Sequence, residues 1–198
     1  MTNNQKEQLH EENEVLTAEQ QQALLEKYDI ESNTRKIKGI MHWVIFLGLL
    51  AFSLFQLYTA IEGQFTAYIQ RTIHLGFALT FIFLLYPSRK KGNKLIIPWY
   101  DYLLAITSII VGSYWTLNYK RLVQNLGGIE GLDFYIGLVA IVLVLEAARR
   151  AVGLPITIIA GGFFIYGLYG NYFPGFLAHR GQSLESLTHL MFYTTDGI

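Results

Sequence analysis

Apolar residues in this chain fall in long runs, not in alternation. Ile40 to Ile61 is 22 residues without a formal charge, enough to cross the hydrocarbon core of a bilayer as a helix. Thr72 to Tyr86 is a run of 15. It reaches spanning length when it begins near Tyr68 and Arg71 extends its guanidinium towards the headgroups. A third run goes from Leu95 to Trp115, with Pro98 in its first turn, where a missing N–H does no harm. A fourth covers Leu132 to Ala148, with Asp133 expected as its N-cap, and a fifth covers Ala151 to Phe173. In lipid such segments must be helices, because a helix satisfies its backbone groups internally. The pattern therefore predicts an all-α, polytopic membrane helix bundle. About five transmembrane helices are expected, over 40–61, 68–86, 95–115, 132–148 and 151–173.

The flanks read differently. Residues 1–39 are polar and form an acidic N-terminal segment. Within it Thr17 and Gln20 fit a capping box, and Leu24, Leu25 and Tyr28 make a narrow apolar stripe for a short amphipathic helix. So long a polar lead is unlike a cleavable secretory signal. In residues 174–198, Leu184, Leu187, Leu190 and Met191 recur at helical spacing, too briefly to span. An extracytoplasmic loop is expected there, followed by the start of an interfacial or re-entrant helix.

Charge adds an orientation. Residues 1–34 hold eight acids and two bases, net −6, whereas residues 35–198 hold seven acids and thirteen bases, net +6. A basic, apolar body suits a membrane domain with Lys/Arg-rich cytoplasmic loops better than a nucleic-acid binder. Nine bases (Arg35, Lys36, Lys38, Arg89, Lys90, Lys91, Lys94, Arg149, Arg150) flank one side of the predicted spans, and four (Arg71, Lys120, Arg121, Arg180) flank the other. This places the N-terminus in the cytoplasm. Trp43, Trp99 and Tyr100 then belong to an inner aromatic belt, and Tyr114 and Trp115 to an outer one.

The stretch LVLEAARRAVGLP, residues 143–155, puts three charges between two apolar runs and leaves little room for a loop. Glu146 lies i,i+3 from Arg149 and i,i+4 from Arg150, so all three share one helical face. The expectation is that both guanidiniums reach water and lipid phosphate and that Glu146 is neutralised between them. Gly153 and Pro155 then stop one helix and start the next, making a tight cytoplasmic hairpin.

Other candidates are few. Asp101 follows Pro98 in the first turn of a helix, whose positive dipole end favours an anion; an ion or proton site is the alternative. Arg71 and His74 stand i,i+3 at the outer end of the second run, as interfacial anchors or contacts for an external partner. Gly161, Gly162, Gly167 and Gly170 suggest close approach of another helix to the fifth run. His179 has no companion at ligand spacing. The chain has no cysteine, and no phosphate-binding loop, HExxH or GxSxG motif. Neither an enzyme nor a cofactor is expected.

Arg71-Thr-Ile-His74-Leu-Gly-Phe, Tyr86-Pro87, the block from Leu143 to Gly153, and Tyr172-Phe-Pro-Gly175 with His179 together form a pattern. Leu25-Glu-Lys-Tyr-Asp and Ser53-Leu-Phe-Gln-Leu-Tyr58 belong to it as well. It resembles the amino-terminal, small-subunit-like part of fused permeases of the tripartite ATP-independent periplasmic (TRAP) transporters, of the TAXI type. The resemblance runs from about Leu24 onwards and is most specific in LEAARRAVG. It implies a secondary active transporter of a bacterial or archaeal cytoplasmic membrane, which takes up an organic solute by symport with a cation, usually sodium. It also implies a periplasmic solute-binding protein as partner, and a large transport domain, fused or separate, that carries the sodium and substrate ligands. Arg71, His74, Glu146, Arg149, Arg150 and Gly153 are then anchoring positions. A fused permease continues for several hundred residues, so a fragment, a truncation or a split gene is expected. The alternative is a stand-alone membrane assembly protein whose acidic head docks a cytoplasmic partner.

Overall fold

A computed structural model describes residues 34–63, 65–89, 94–124, 129 and 131–194. The expected capping box and apolar stripe of the N-terminal segment lie outside these residues. Five long helices follow in order: α1 (Ile40–Glu62), α2 (Ala67–Leu85), α3 (Trp99–Gln124), α4 (Leu132–Ala151) and α5 (Leu154–Tyr169). A short α6 (Leu184–Thr188) runs into a π-turn at His189–Tyr193. There is no strand among the described residues. Three of the helices are long and apolar enough to cross a membrane: Ile40–Glu62, Ala67–Leu85 and, with its 3-10 extension, Leu154–Tyr172.

Local chemistry sets the helix ends. Gly63, left-handed at φ 60°, closes α1 and returns its N–H to the Thr59 carbonyl at 3.0 Å. Tyr86 is extended (φ −101°, ψ 121°) because Pro87 follows it, and α2 stops there. Gly153 adopts φ 117°, which a residue with a Cβ rarely does, and Pro155 opens α5 two residues later. The third helix departs from the expected 95–115. It starts at Trp99, after Pro98, and continues to Gln124 across a kink at Asn118, whose amide donates to the Tyr114 carbonyl at 3.1 Å. The part beyond the kink carries the polar residues Lys120 and Arg121.

The helices run up and down. The segment before α1, the end of α2, the start of α3 and the end of α4 meet at one end of the bundle. The start of α2, the later part of α3, the start of α4 and the α6 segment meet at the other. The largest helix–helix contact is between α2 and α3. There Gly76 and Gly112 face each other, and a Cβ on Gly112 would lie 2.5 Å from the Gly76 Cα. Small residues at this crossing let the two backbones touch. Phe83, Val111, Trp115, Ala140 and Leu143 fill the interior. The outer faces of α1 and α5 remain apolar and exposed, and α5 buries no residue at all.

Along α5, nothing stands within 4 Å of a Cβ built on Gly161 or Gly162, whereas Gly167 meets Leu187 of α6 and Gly170 meets the His179 ring. Leu187, Phe192 and Tyr193 are buried against the bundle, and Gly137 of α4 makes room for Thr188.

Candidate functional site

The densest chemistry lies where α1 and α3 begin and α2 and α4 finish. Asp101, in the first turn of α3, has 0% of its surface exposed. Arg35 Nη2 binds its Oδ2, and Arg150 Nη1 donates to Oδ1 at 2.7 Å. Both arginine side chains are almost dry, at 1% and 2% exposure. Arg35 does more than pair a charge. Its Nη1 donates to the carbonyls of Phe83 and Leu84, both at 3.0 Å, and its backbone N–H to that of Leu85 at 2.7 Å. Those are the last carbonyls of α2, which have no partner within their own helix. Arg35 therefore caps α2 from 48 residues away. Its Nε is buried without a hydrogen bond.

The helix face of α4 extends the chain of charges. Arg150 Nε donates to Glu146 Oε1 at 2.7 Å, and its guanidinium sits 5.0 Å above the Phe83 ring. Arg149 Nε and Nη2 donate to both oxygens of Glu146 at 2.7 Å, a two-pronged pair, and Nη1 reaches the Ser88 carbonyl at 3.1 Å. The i,i+3 and i,i+4 spacing places these groups side by side, as expected. The expectation that both guanidiniums reach water and lipid phosphate is corrected: Arg150 turns inward to Asp101, while Arg149 keeps 33% of its side chain exposed. A carboxylate buried in this position draws the nearer arginine away from the headgroups, because an unpaired buried charge costs more than a paired one.

A second cluster stands at the opposite end. Arg121 Nη1 and Nη2 donate to the two oxygens of Asp133 at 2.7 and 2.6 Å, and Nη2 also donates to Tyr114 Oη at 2.9 Å. The Tyr114 hydroxyl donates to the same carboxylate. Tyr193 Oη donates to the Asp133 carbonyl at 2.7 Å, and Trp115 Nε1 to the Phe192 carbonyl at 3.3 Å. Burial first, then the Asp133 charge, pushes the Tyr193 phenol well above its usual range. Asp133 is thus no N-cap. Gly131 holds that position without a side-chain bond, and Asp133, in the first turn of α4, reaches sideways to Arg121. Tyr114 and Trp115 form no outer belt either. Both are buried, and Trp115 stacks on Tyr68 with ring centres 4.8 Å apart.

Asp101, Glu146, Arg149 and Arg150 therefore come together, with Arg35 as the member that sequence reasoning missed. Its one signal is that an acid inside a helix end needs a base, and a four-base loop nearer in sequence competes for that role. Arg71 and His74 are not part of this cluster. They line an open cavity of about 430 Å³ between α1 and α2 at the other end, where His74 Nδ1 pairs with the Gln56 amide and its ring meets Phe52 edge-on. Gly153 sits at the α4–α5 corner without a role in the ion pairs. His179 is held by backbone on both sides: the Gly181 N–H donates to Nδ1 at 3.0 Å, and Nε2 lies 3.1 Å from the Tyr166 carbonyl.

A carboxylate serves as a cation ligand only where its charge is not already taken up by bases. Asp101 is held by two guanidiniums and Asp133 by one guanidinium and a phenol. Among the described residues no three His, Asp or Glu side chains gather. These residues do not fit a cation site. Compared with known protein families, curated proteins and solved structures, the chain matches none.

Proposed function

We propose that this chain is the membrane scaffold portion of a secondary active transporter permease. The permease takes up an organic solute, delivered by a periplasmic binding protein, and a cation gradient, that of sodium, drives the uptake. In this reading all five long helices span the cytoplasmic membrane, the N-terminus is cytoplasmic, and a large transport domain packs beside the bundle. Two features support five spans. At 26 and 20 residues, α3 and α4 have the length. Charged groups towards their ends are engaged in ion pairs.

One observation carries the scaffold role. The LEAARR block, the most specific part of the resemblance to TRAP permeases, is spent on tying α2, α3 and α4 together. Its charges are engaged with protein partners instead of lining a path. A scaffold needs such ties, and it needs exposed apolar helix faces for lipid and a neighbouring domain; α1 and α5 supply these.

Deletion of the gene in its native host tests the reading. Sodium-dependent, binding-protein-dependent uptake of a labelled organic acid should fall to background and return on complementation. Unchanged uptake across a panel of carboxylates rejects the transport role. Loss of a membrane complex with intact uptake, abolished equally by removing residues 1–39, supports a stand-alone assembly protein instead.

A further inference from the structure

The Asp101 cluster does not balance. Three guanidiniums (Arg35, Arg149, Arg150) stand against two carboxylates (Asp101, Glu146), leaving one positive charge; Arg35, Arg150 and Asp101 are dry, while Arg149 and Glu146 reach the surface. An excess positive charge that is partly withdrawn from water attracts an anion. A groove of about 620 Å³ adjoins it, with Arg35, Ser88, Arg89 and Tyr100 on its polar side and Ile96 and two prolines on its apolar side. The groove touches the cluster twice: Arg35 lines it directly, and Arg149 holds the carbonyl of Ser88. Ser88 Oγ and Tyr100 Oη lie 3.1 Å apart, a pair of hydroxyls at the groove wall. Arg89 is exposed, and among the described residues no acidic side chain lines the groove.

We propose that this groove binds the phosphate of an anionic phospholipid headgroup, held by Arg89 and the Ser88–Tyr100 hydroxyl pair and drawn by the unbalanced charge of the Arg35–Asp101–Arg150 cluster. A lipid is the fitting source of the phosphate because the groove opens at the end of membrane-length helices. Its surroundings there are Leu95, Ile96 and Trp99, all more than 60% exposed, an apolar and aromatic rim suited to acyl chains and the headgroup layer. Guanidinium and hydroxyl donors match phosphate oxygens. The proposal depends on membrane embedding and not on the transport role.

The test titrates the full chain in dodecyl maltoside micelles with dioleoyl phosphatidylglycerol, dioleoyl phosphatidylcholine, or inorganic phosphate at matched ionic strength, and follows the unfolding temperature. Phosphatidylglycerol should raise it saturably. Arg89→Gln should weaken the apparent affinity about tenfold, as loss of one charge-assisted contact does, and Ser88→Ala should weaken it less. Arg89 is exposed and outside the buried pairs, so its replacement leaves folding intact. Arg71→Gln, at the opposite end, should keep the full response. Three results overturn the proposal: an equal response to phosphatidylcholine, saturation by inorganic phosphate at the same concentration, or unchanged affinity in Arg89→Gln.

Discussion

Gly76 and Gly112 meet backbone to backbone where α2 crosses α3, so closely that a methyl on Gly76 would stand 2.9 Å from the Gly112 Cα. Gly112→Ala forces the helices apart along their largest shared surface. Overpacking of this kind costs about 1–3 kcal/mol. The variant should unfold at a lower temperature in detergent, while Gly161→Ala, with open space around its Cβ, should match wild type. Equal melting of the two would mean that this crossing does not hold the bundle.

Asp101→Asn leaves Arg35 and Arg150 facing each other in a dry site. Removing one partner of a buried pair costs about 3–5 kcal/mol. The protein should lose its monodisperse peak in size-exclusion chromatography, and adding Arg150→Met should restore part of it by removing one stranded charge. Glu185→Gln, at an exposed position, is the neutral comparison. A wild-type profile for Asp101→Asn would contradict the cluster.

Tyr193→Phe deletes the bond to the Asp133 carbonyl and nothing else of size. A typical hydrogen bond contributes about 1 kcal/mol, which corresponds to roughly fivefold faster hydrogen exchange if the segment opens locally. Amides of residues 184–193 should speed up by that factor while those of α2 do not change. Uniform acceleration along the chain would show that the segment does not open on its own.

The chain has no cysteine, so single substitutions report sidedness cleanly. Lys94→Cys and Arg180→Cys should react with a membrane-impermeant maleimide from opposite sides, Lys94→Cys only in inverted vesicles. Labelling of both from one side would break the five-span arrangement, and labelling of Lys94→Cys in intact cells would reverse its orientation.

The spacing of Glu146, Arg149 and Arg150 was legible because side chains three and four residues apart on a helix are neighbours whatever surrounds them. Gly153 and Pro155 were legible as a helix junction for an equally local reason: backbone geometry is restricted at proline and permissive at glycine. Asp133 and Trp115 misled. A residue's depth along a helix can be counted from the sequence, but the direction it faces depends on which neighbour packs there. Asp133 could have capped its own helix; an arginine twelve residues earlier in the chain lay within reach and took it.

The chain by itself determined that it folds as helices and roughly where they begin and end, because backbone satisfaction and apolar run length are properties of short segments; of the five runs expected to span, three form helices long and apolar enough to cross a membrane. Tertiary structure alone decided that Arg35 caps α2, that Arg150 abandons the surface for Asp101, and that Gly76 and Gly112 form the closest crossing. Each of these joins residues more than thirty positions apart, and a buried charge or a bare backbone takes its meaning only from what is packed against it.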